Sequence, residues 1–292
     1  MSTTHHSEYL KLESVYIKPA KNAFVSNDEL TEQWQELNYL ARPDFNSSLE
    51  EYKMFQEYFI TKNIEIQFFP FDENVKIDSI YCRDASIATD FGMLICNMGK
   101  GGRINEPQSH LKIYKSNNSP VLGIIESPGT LEGGDVAWLD ETTLAVGHTY
   151  RTNEVGIKQL KALLEPKGIE IIVVELPHYK GENDVFHLMS ILSPVDKNLA
   201  VVYSPLMPIS FRNELLNRGF ELIEVPDEEF ESMGCNVLAI APRQCLMVDG
   251  NPKTKQLLEQ AGCNVTTYKG NDISVKGGGG PTCLTRPLLR SY

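Results

Sequence analysis

The chain has 292 residues, 41% of them hydrophobic and 23% charged, which is enough for a large buried core. Its formal net charge is −12, and no basic stripe with interleaved aromatics occurs, which argues against a nucleic-acid partner and suits a small cationic one. The six cysteines, at 82, 96, 235, 245, 263 and 283, form no Cys-x-x-Cys pair and no zinc spacing with histidine, so they read as reduced thiols.

The segment Met1–Ser14 is polar and lacks the apolar centre of a signal peptide, and no apolar run reaches membrane-spanning length. The expectation is a soluble, cytoplasmic chain without a membrane role. A strand is expected at Ser14–Pro19, then a flexible insertion at Ala41–Ser48, a helix at Leu49–Lys62 and a strand at Ile64–Phe69. A second unit opens at Ser79–Asp84 and continues through Met93–Cys96 and Val121–Ile125. The third runs from Gly134–Trp138 through Thr143–Val146 and a helix at Asn153–Leu164 to the strand Ile169–Glu175. The fourth reads Ser190–Leu192, Leu199–Val202, a helix at Phe211–Arg218 and Phe220–Val225. The fifth reads Val237–Ile240, Gln244–Val248, a helix at Lys253–Ala261 and Cys263–Tyr268. Glycines 168, 219 and 262 follow the three later helices, as C-caps before strands should. The plan is strand–strand–helix–strand at a period of roughly fifty residues, repeated five times, with a short last strand around Cys283. No change in composition marks a boundary, so one domain over residues 1–292 is expected.

Cys283 follows the run Gly277-Gly278-Gly279-Gly280-Pro281-Thr282. A run of glycines lets a substrate and other chain segments approach the sulfur closely, and the residue reads as a nucleophile. Leu131-Glu132-Gly133-Gly134-Asp135 puts two carboxylates around a tight turn before an apolar strand, where Glu132 and Asp135 either share a cleft or form a solvated acidic turn. Asp84, in Tyr81-Cys82-Arg83-Asp84, is either half of a surface salt bridge or, if buried in a cleft, a strong cation ligand. Arg103 and Arg151 either solubilise loops or grip a carboxylate in bidentate fashion. His187 opens a strand after a turn, a position suited to aiming an imidazole into a cleft, whereas His5, His6 and His110 read as inert surface residues and His148 and His178 as structural ones. The glycine run lacks the Lys-Ser/Thr of a phosphate-cradling loop, and no Gly-x-Gly-x-x-Gly follows a strand, so nucleotide cofactors are not indicated.

Together these motifs resemble the guanidino-group modifying enzymes, the pentein superfamily of arginine deiminases, dimethylarginine dimethylaminohydrolases and amidinotransferases. The resemblance spans most of the chain. It is strongest in Leu131-Glu132-Gly133-Gly134-Asp135-Val136 running on to His148-Thr149-Tyr150-Arg151-Thr152-Asn153, which is similar to the dimethylargininases, with Phe186-His187-Leu188 and the glycine-flanked Cys283 in the same order. It implies a five-bladed α/β propeller with the active site in the central channel. It also implies Cys283 as nucleophile, His187 as general acid/base, Glu132 as guanidinium ligand and orienter of the histidine, and Asp84 as second guanidinium ligand. Arg151 and Arg103 would hold a substrate carboxylate, and Asp135 would be a further substrate-binding residue. No cofactor or metal is implied. The partner would be a small guanidino compound, with room left for a homo-oligomer.

Two positions depart from the family patterns. Met189 stands where arginine deiminases carry a guanidinium-clamping aspartate two residues after the histidine. Arg83 stands where dimethylargininases carry an acidic residue before the aspartate. The first argues against plain arginine deimination and suits an N-alkylated guanidine. The leading expectation is a hydrolase of such a guanidine, working through a covalent thiouronium. A deiminase, an amidinotransferase and the fold's non-catalytic binding proteins are the alternatives.

Overall fold

Residues 2–292 are described by a computed structural model. Their strands form five small sheets. In the second to fifth, an inner strand pairs antiparallel with a middle strand, and the chain returns through a helix to add an outer strand parallel to the middle one. The third blade is typical: inner Val136–Asp140, middle Thr143–His148, helix Glu154–Leu164 and outer Glu170–Glu175. The inner strands of the second, fourth and fifth blades are Ser86–Ile87, Leu192–Asp196 and Leu238–Ala241.

The first blade is assembled from both ends of the chain. Strand Thr285–Ser291 pairs antiparallel with Lys11–Ile17, helix Phe45–Thr61 follows, and Glu65–Phe68 lies parallel to Lys11–Ile17. The last strand therefore begins two residues after Cys283 and closes the ring, where a short strand around the cysteine itself was expected. The result is a five-bladed pentein propeller.

Alternation along the inner strands explains why the ring holds together. Successive side chains point to opposite faces, and here both faces are apolar. Val136 and Trp138 pack with Ile87 and Leu94 of the second blade, while Ala137 and Leu139 pack with Leu192 and Ala200 of the fourth. The remaining clusters repeat the arrangement: Val195 and Val201 meet Ala239 and Met247, Leu238 and Leu246 meet Val15 and Ile17, and Tyr16 and Phe69 meet Met93 and Ile95. Each of the five apolar clusters thus welds two neighbouring blades.

Gly168, Gly219 and Gly262 take φ of +86°, +84° and +84°, the left-handed cap that ends a helix before its outer strand. Asn63 and Asn118 fill the same place in the first two blades, at φ 56° and 54°. Other expectations are corrected. Ser79–Asp84 is not a strand: Ile77–Ile80 is a 3₁₀ turn, and the second blade's inner strand starts at Ser86. Helix Glu106–Ser116 fills the place the repeat plan left for a helix, without bounds, between Met93–Cys96 and Val121–Ile125. Most of Ala41–Ser48 is not a flexible insertion, because Asp44 accepts from the Ser47 N–H and starts the long helix at Phe45. His6 and His110 are buried, stacked on Trp138 at 3.8 Å and Phe69 at 3.7 Å. Among the described residues no helix is long and apolar enough to cross a membrane.

Candidate active site

Each blade presents one polar residue just before its inner strand. Asp84, Glu132, His187, Asn236 and Cys283 precede Ser86, Val136, Leu192, Leu238 and Thr285, and all five line one cavity. Fivefold repetition therefore converges side chains that lie roughly fifty residues apart in sequence.

Glu132 and His187 form a buried pair. Glu132 Oε2 lies 2.8 Å from His187 Nε2, while Oε1 accepts from the Gly99 and Lys100 N–H groups at 3.0 Å each. Burial by itself would raise the Glu132 carboxyl, but the His187 bond and charge, with Arg103 and Arg151, hold it down at about 2. Burial likewise opposes a charged imidazole, but Asp135, Glu132 and Asp84 raise His187 to about 9. The pair is carboxylate and imidazolium at neutral pH. Gly134 makes room for it: a Cβ there would stand 2.4 Å from His187 Nδ1 and 2.7 Å from Asp84 Oδ1.

Asp84 is buried, and its Oδ2 accepts from Arg103 Nη1 at 2.6 Å, while Oδ1 has no partner among the described residues. Oxygens of Asp84 and Glu132 and a ring nitrogen of His187 lie within 4.8 Å of one another. A divalent ion would need the imidazole proton removed against the field that retains it. A planar cation needs no such change, and the unpaired Oδ1 offers it an acceptor.

The half-buried Cys283 receives an N–H from Asn236 Nδ2 at 3.3 Å. Burial and then the Asp84 charge push its thiol up, with Asn236 and Thr282 pulling the other way. Asn236 cannot flip freely, since its Oδ1 accepts from the Thr282 N–H at 3.0 Å and the Thr282 hydroxyl at 2.8 Å. The glycine run serves these contacts. A Cβ on Gly280 would stand 2.5 Å from Asn236 Oδ1, and one on Gly277 1.9 Å from the Tyr81 hydroxyl oxygen. Asn236 escaped the sequence reading, although its place in the fivefold spacing was a usable signal.

Two expected ligands have partners within the protein. Arg103 lines the cavity, and it makes four hydrogen bonds, one to Asp84, two to Glu106 and one to the Tyr81 carbonyl, which fasten Asp84. Asp135 does not line the cavity: its oxygens accept from the Thr149 hydroxyl at 2.7 Å and the Leu188 N–H at 3.0 Å, which anchors the backbone beside His187. Arg151 lines the cavity with its buried Nε unpartnered and only long contacts of 3.4 Å to the Asn183 and Asp184 carbonyls. Met189 lines it too, whereas the Arg83 guanidinium donates to Glu8 at 2.7 Å.

The family model described as N,N dimethylarginine dimethylhydrolase, eukaryotic, matches residues 18–290. The chain belongs to this family. The N(G),N(G)-dimethylarginine dimethylaminohydrolase of Pseudomonas aeruginosa is 26% identical over 248 residues, covering 85% of this chain and 91% of that one. An arginine deiminase from Listeria welshimeri is also 26% identical, but the match spans 72% of this dimethylargininase-family chain and only 61% of the deiminase. DDAH from P. aeruginosa in complex with citrulline superposes with a TM-score of 0.77 at 24% identity, over 95% of this chain and all (100%) of that one. SxtG, an amidinotransferase from Microseira wollei, gives 0.78 at 13% identity, covering 98% and 97%. These last two likenesses carry the fold.

Proposed function

We propose that this dimethylargininase-family chain hydrolyses an N-substituted, arginine-like guanidine to a ureido product and an amine. The observation that carries the reading is the unpaired, buried Asp84 Oδ1 beside a Glu132–His187 ion pair, in the cavity that also holds Cys283. In this reading the guanidinium donates to Asp84 Oδ1 and to the remaining lone pair of Glu132 Oε2, which turns its central carbon toward the sulfur. Such positioning supplies several kcal/mol in favourable cases, of the order of 7–11 at the limit. Arg151 takes the substrate carboxylate with its free donors, and Met189 lies against the N-substituent.

Burial keeps the Cys283 thiol protonated in the unliganded site, so arrival of the cation favours the thiolate, and the thiol proton leaves to solvent as the substrate enters. The thiolate then forms a C–S bond to the guanidinium carbon. His187, charged at neutral pH, gives its proton to the substituted nitrogen as the C–N bond breaks, leaving the amine and a thiouronium on Cys283. Neutral His187 next removes a proton from water as its oxygen adds to that carbon. The C–S bond breaks, the thiolate is restored, and loss of the hydroxyl proton leaves the ureido product. Acid/base help of this kind contributes about 10²–10⁴-fold.

The test is a panel of arginine and its N-methylated forms, with and without an acceptor amine, scored for ureido product and released amine. Dimethylamine and citrulline, with kcat/KM at least about tenfold above that for arginine, is the expected result. Ammonia from arginine as the preferred reaction, or turnover only with an acceptor amine, would replace this reading with deimination or amidino transfer.

A further inference from the structure

Three arginines are buried in the hub of the ring: Arg83, Arg286 and Arg290, at 1%, 4% and 1% exposure. Their partners show where they sit. Arg83 Nη2 donates to the Val136 carbonyl at 3.3 Å, Arg286 Nη1 to the Ser86 carbonyl at 2.9 Å, and Arg290 Nη1 to the Ala239 carbonyl at 2.9 Å and to the Leu10 carbonyl. Val136, Ser86 and Ala239 belong to the inner strands of three different blades. The guanidinium groups therefore share the space those strands enclose, near enough that the Arg83 charge bears on Arg286, and the charges of Arg83 and Arg286 on Arg290.

The hub is short of negative charge. Glu8 is the carboxylate that enters it, bound to Arg83 at 2.7 Å and also near the Trp138 N–H at 3.4 Å. Asp84 is committed to Arg103 on the cavity side. Beside Arg286, burial holds the Cys82 thiol up at about 12 and raises Tyr114 as well, so neither supplies an anion, and His110 is lowered and neutral. Burial brings Arg286 and Arg290 down to about 10, which leaves both charged at neutral pH. Three cations thus face one anion. In addition, Arg83 Nε and Nη1 and Arg290 Nε and Nη2 are buried without a partner among the described residues. A buried guanidinium keeps its charge at a heavy cost unless an anion meets it, and unpartnered N–H donors add to that cost. Water would satisfy the donors but not the charge.

We propose that the propeller hub is a binding site for a small monovalent inorganic anion, of which chloride is the representative, held by the free donors of Arg83 and Arg290 with Arg286 completing the positive surround. The carbonyls that also line the hub disfavour a larger oxyanion, whose extra oxygens would meet acceptors and not donors. The anion acts as a structural counter-ion at the junction of the blades.

Two measurements on the intact chain test this. Thermal unfolding is followed in sodium chloride and in sodium gluconate at equal ionic strength, the gluconate ion being too large to enter. Saturable stabilisation by chloride of roughly 2–4 °C over gluconate is expected, with the difference lost in Arg290→Met. Crystals grown in bromide should give an anomalous peak within hydrogen-bond distance of Arg83 and Arg290. That measurement uses the unsubstituted protein, so it decides the matter even if Arg290→Met does not fold. Equal melting temperatures in the two salts, or a hub without anomalous scattering in bromide, would overturn the proposal and leave ordered water as the occupant.

Discussion

Arg103 shows how one side chain fixes the freedom of another. By occupying Asp84 Oδ2 and both Glu106 oxygens it leaves Asp84 a single oxygen free for a ligand. Arg103→Met would strand two buried carboxylates, and urea unfolding should report a loss of about 3–5 kcal/mol. A residue that only gripped substrate would change KM and leave that midpoint alone. For Cys283→Ser, release of ureido product should fall to background while the far-UV spectrum is retained. Asn236→Ala removes the N–H donor to the sulfur, so the pH profile of Cys283 alkylation should move upward and kcat/KM fall about tenfold, the worth of one hydrogen bond. His187 adds a pH signature. Its folded pKa of about 9 lies above the usual 6.5, so its contribution to stability is complete below 6.5 and is lost as pH rises through about 9. Between those values the melting temperature of His187→Gln should fall less than that of the parent.

The blade is the scale at which the sequence was most legible, and also where reading it stopped short. Apolar runs such as Leu199–Val202 announced middle strands because those strands are buried on both faces. The glycines at 168, 219 and 262 announced helix ends because only a left-handed residue turns the chain there, and Gly219→Ala should cost about 1 kcal/mol by thermal or urea unfolding. The second blade was harder to read. Its inner strand is only two residues long, and its helix buries Glu106, Ser109 and His110 among apolar neighbours, so no apolar stripe betrays it. Cys283, His187, Glu132, Asp84, Arg151 and Arg103 line the cavity, as the motifs suggested, and Asp135 does not. The partners of Arg103 and Asp135, Glu106, Thr149 and the Leu188 N–H, come from folding and not from local sequence. Gly134 belongs to this scale as well. Gly134→Ala should expel His187 from its place, abolishing turnover and, by breaking the buried pair with Glu132, lowering the melting temperature as well, with the His187-dependent fall of stability above pH 6.5 lost.

At the scale of the whole molecule, stability and site share one ring. Inner-strand residues weld each blade to the next, so a defect at one interface is felt round the circle. Strand Thr285–Ser291 is the piece that shuts it, pairing with Lys11–Ile17 and with Thr3–Thr4. Cys283 lies immediately before that strand. During synthesis the other four convergent residues leave the ribosome first, and they wait as loops without their fifth member. Until that strand is paired, nothing holds Cys283 beside the other four. Under the proposed reading, the pairing that completes the circle is also what seats the sulfur, so the gathering of the five side chains and the closure of the ring are one event.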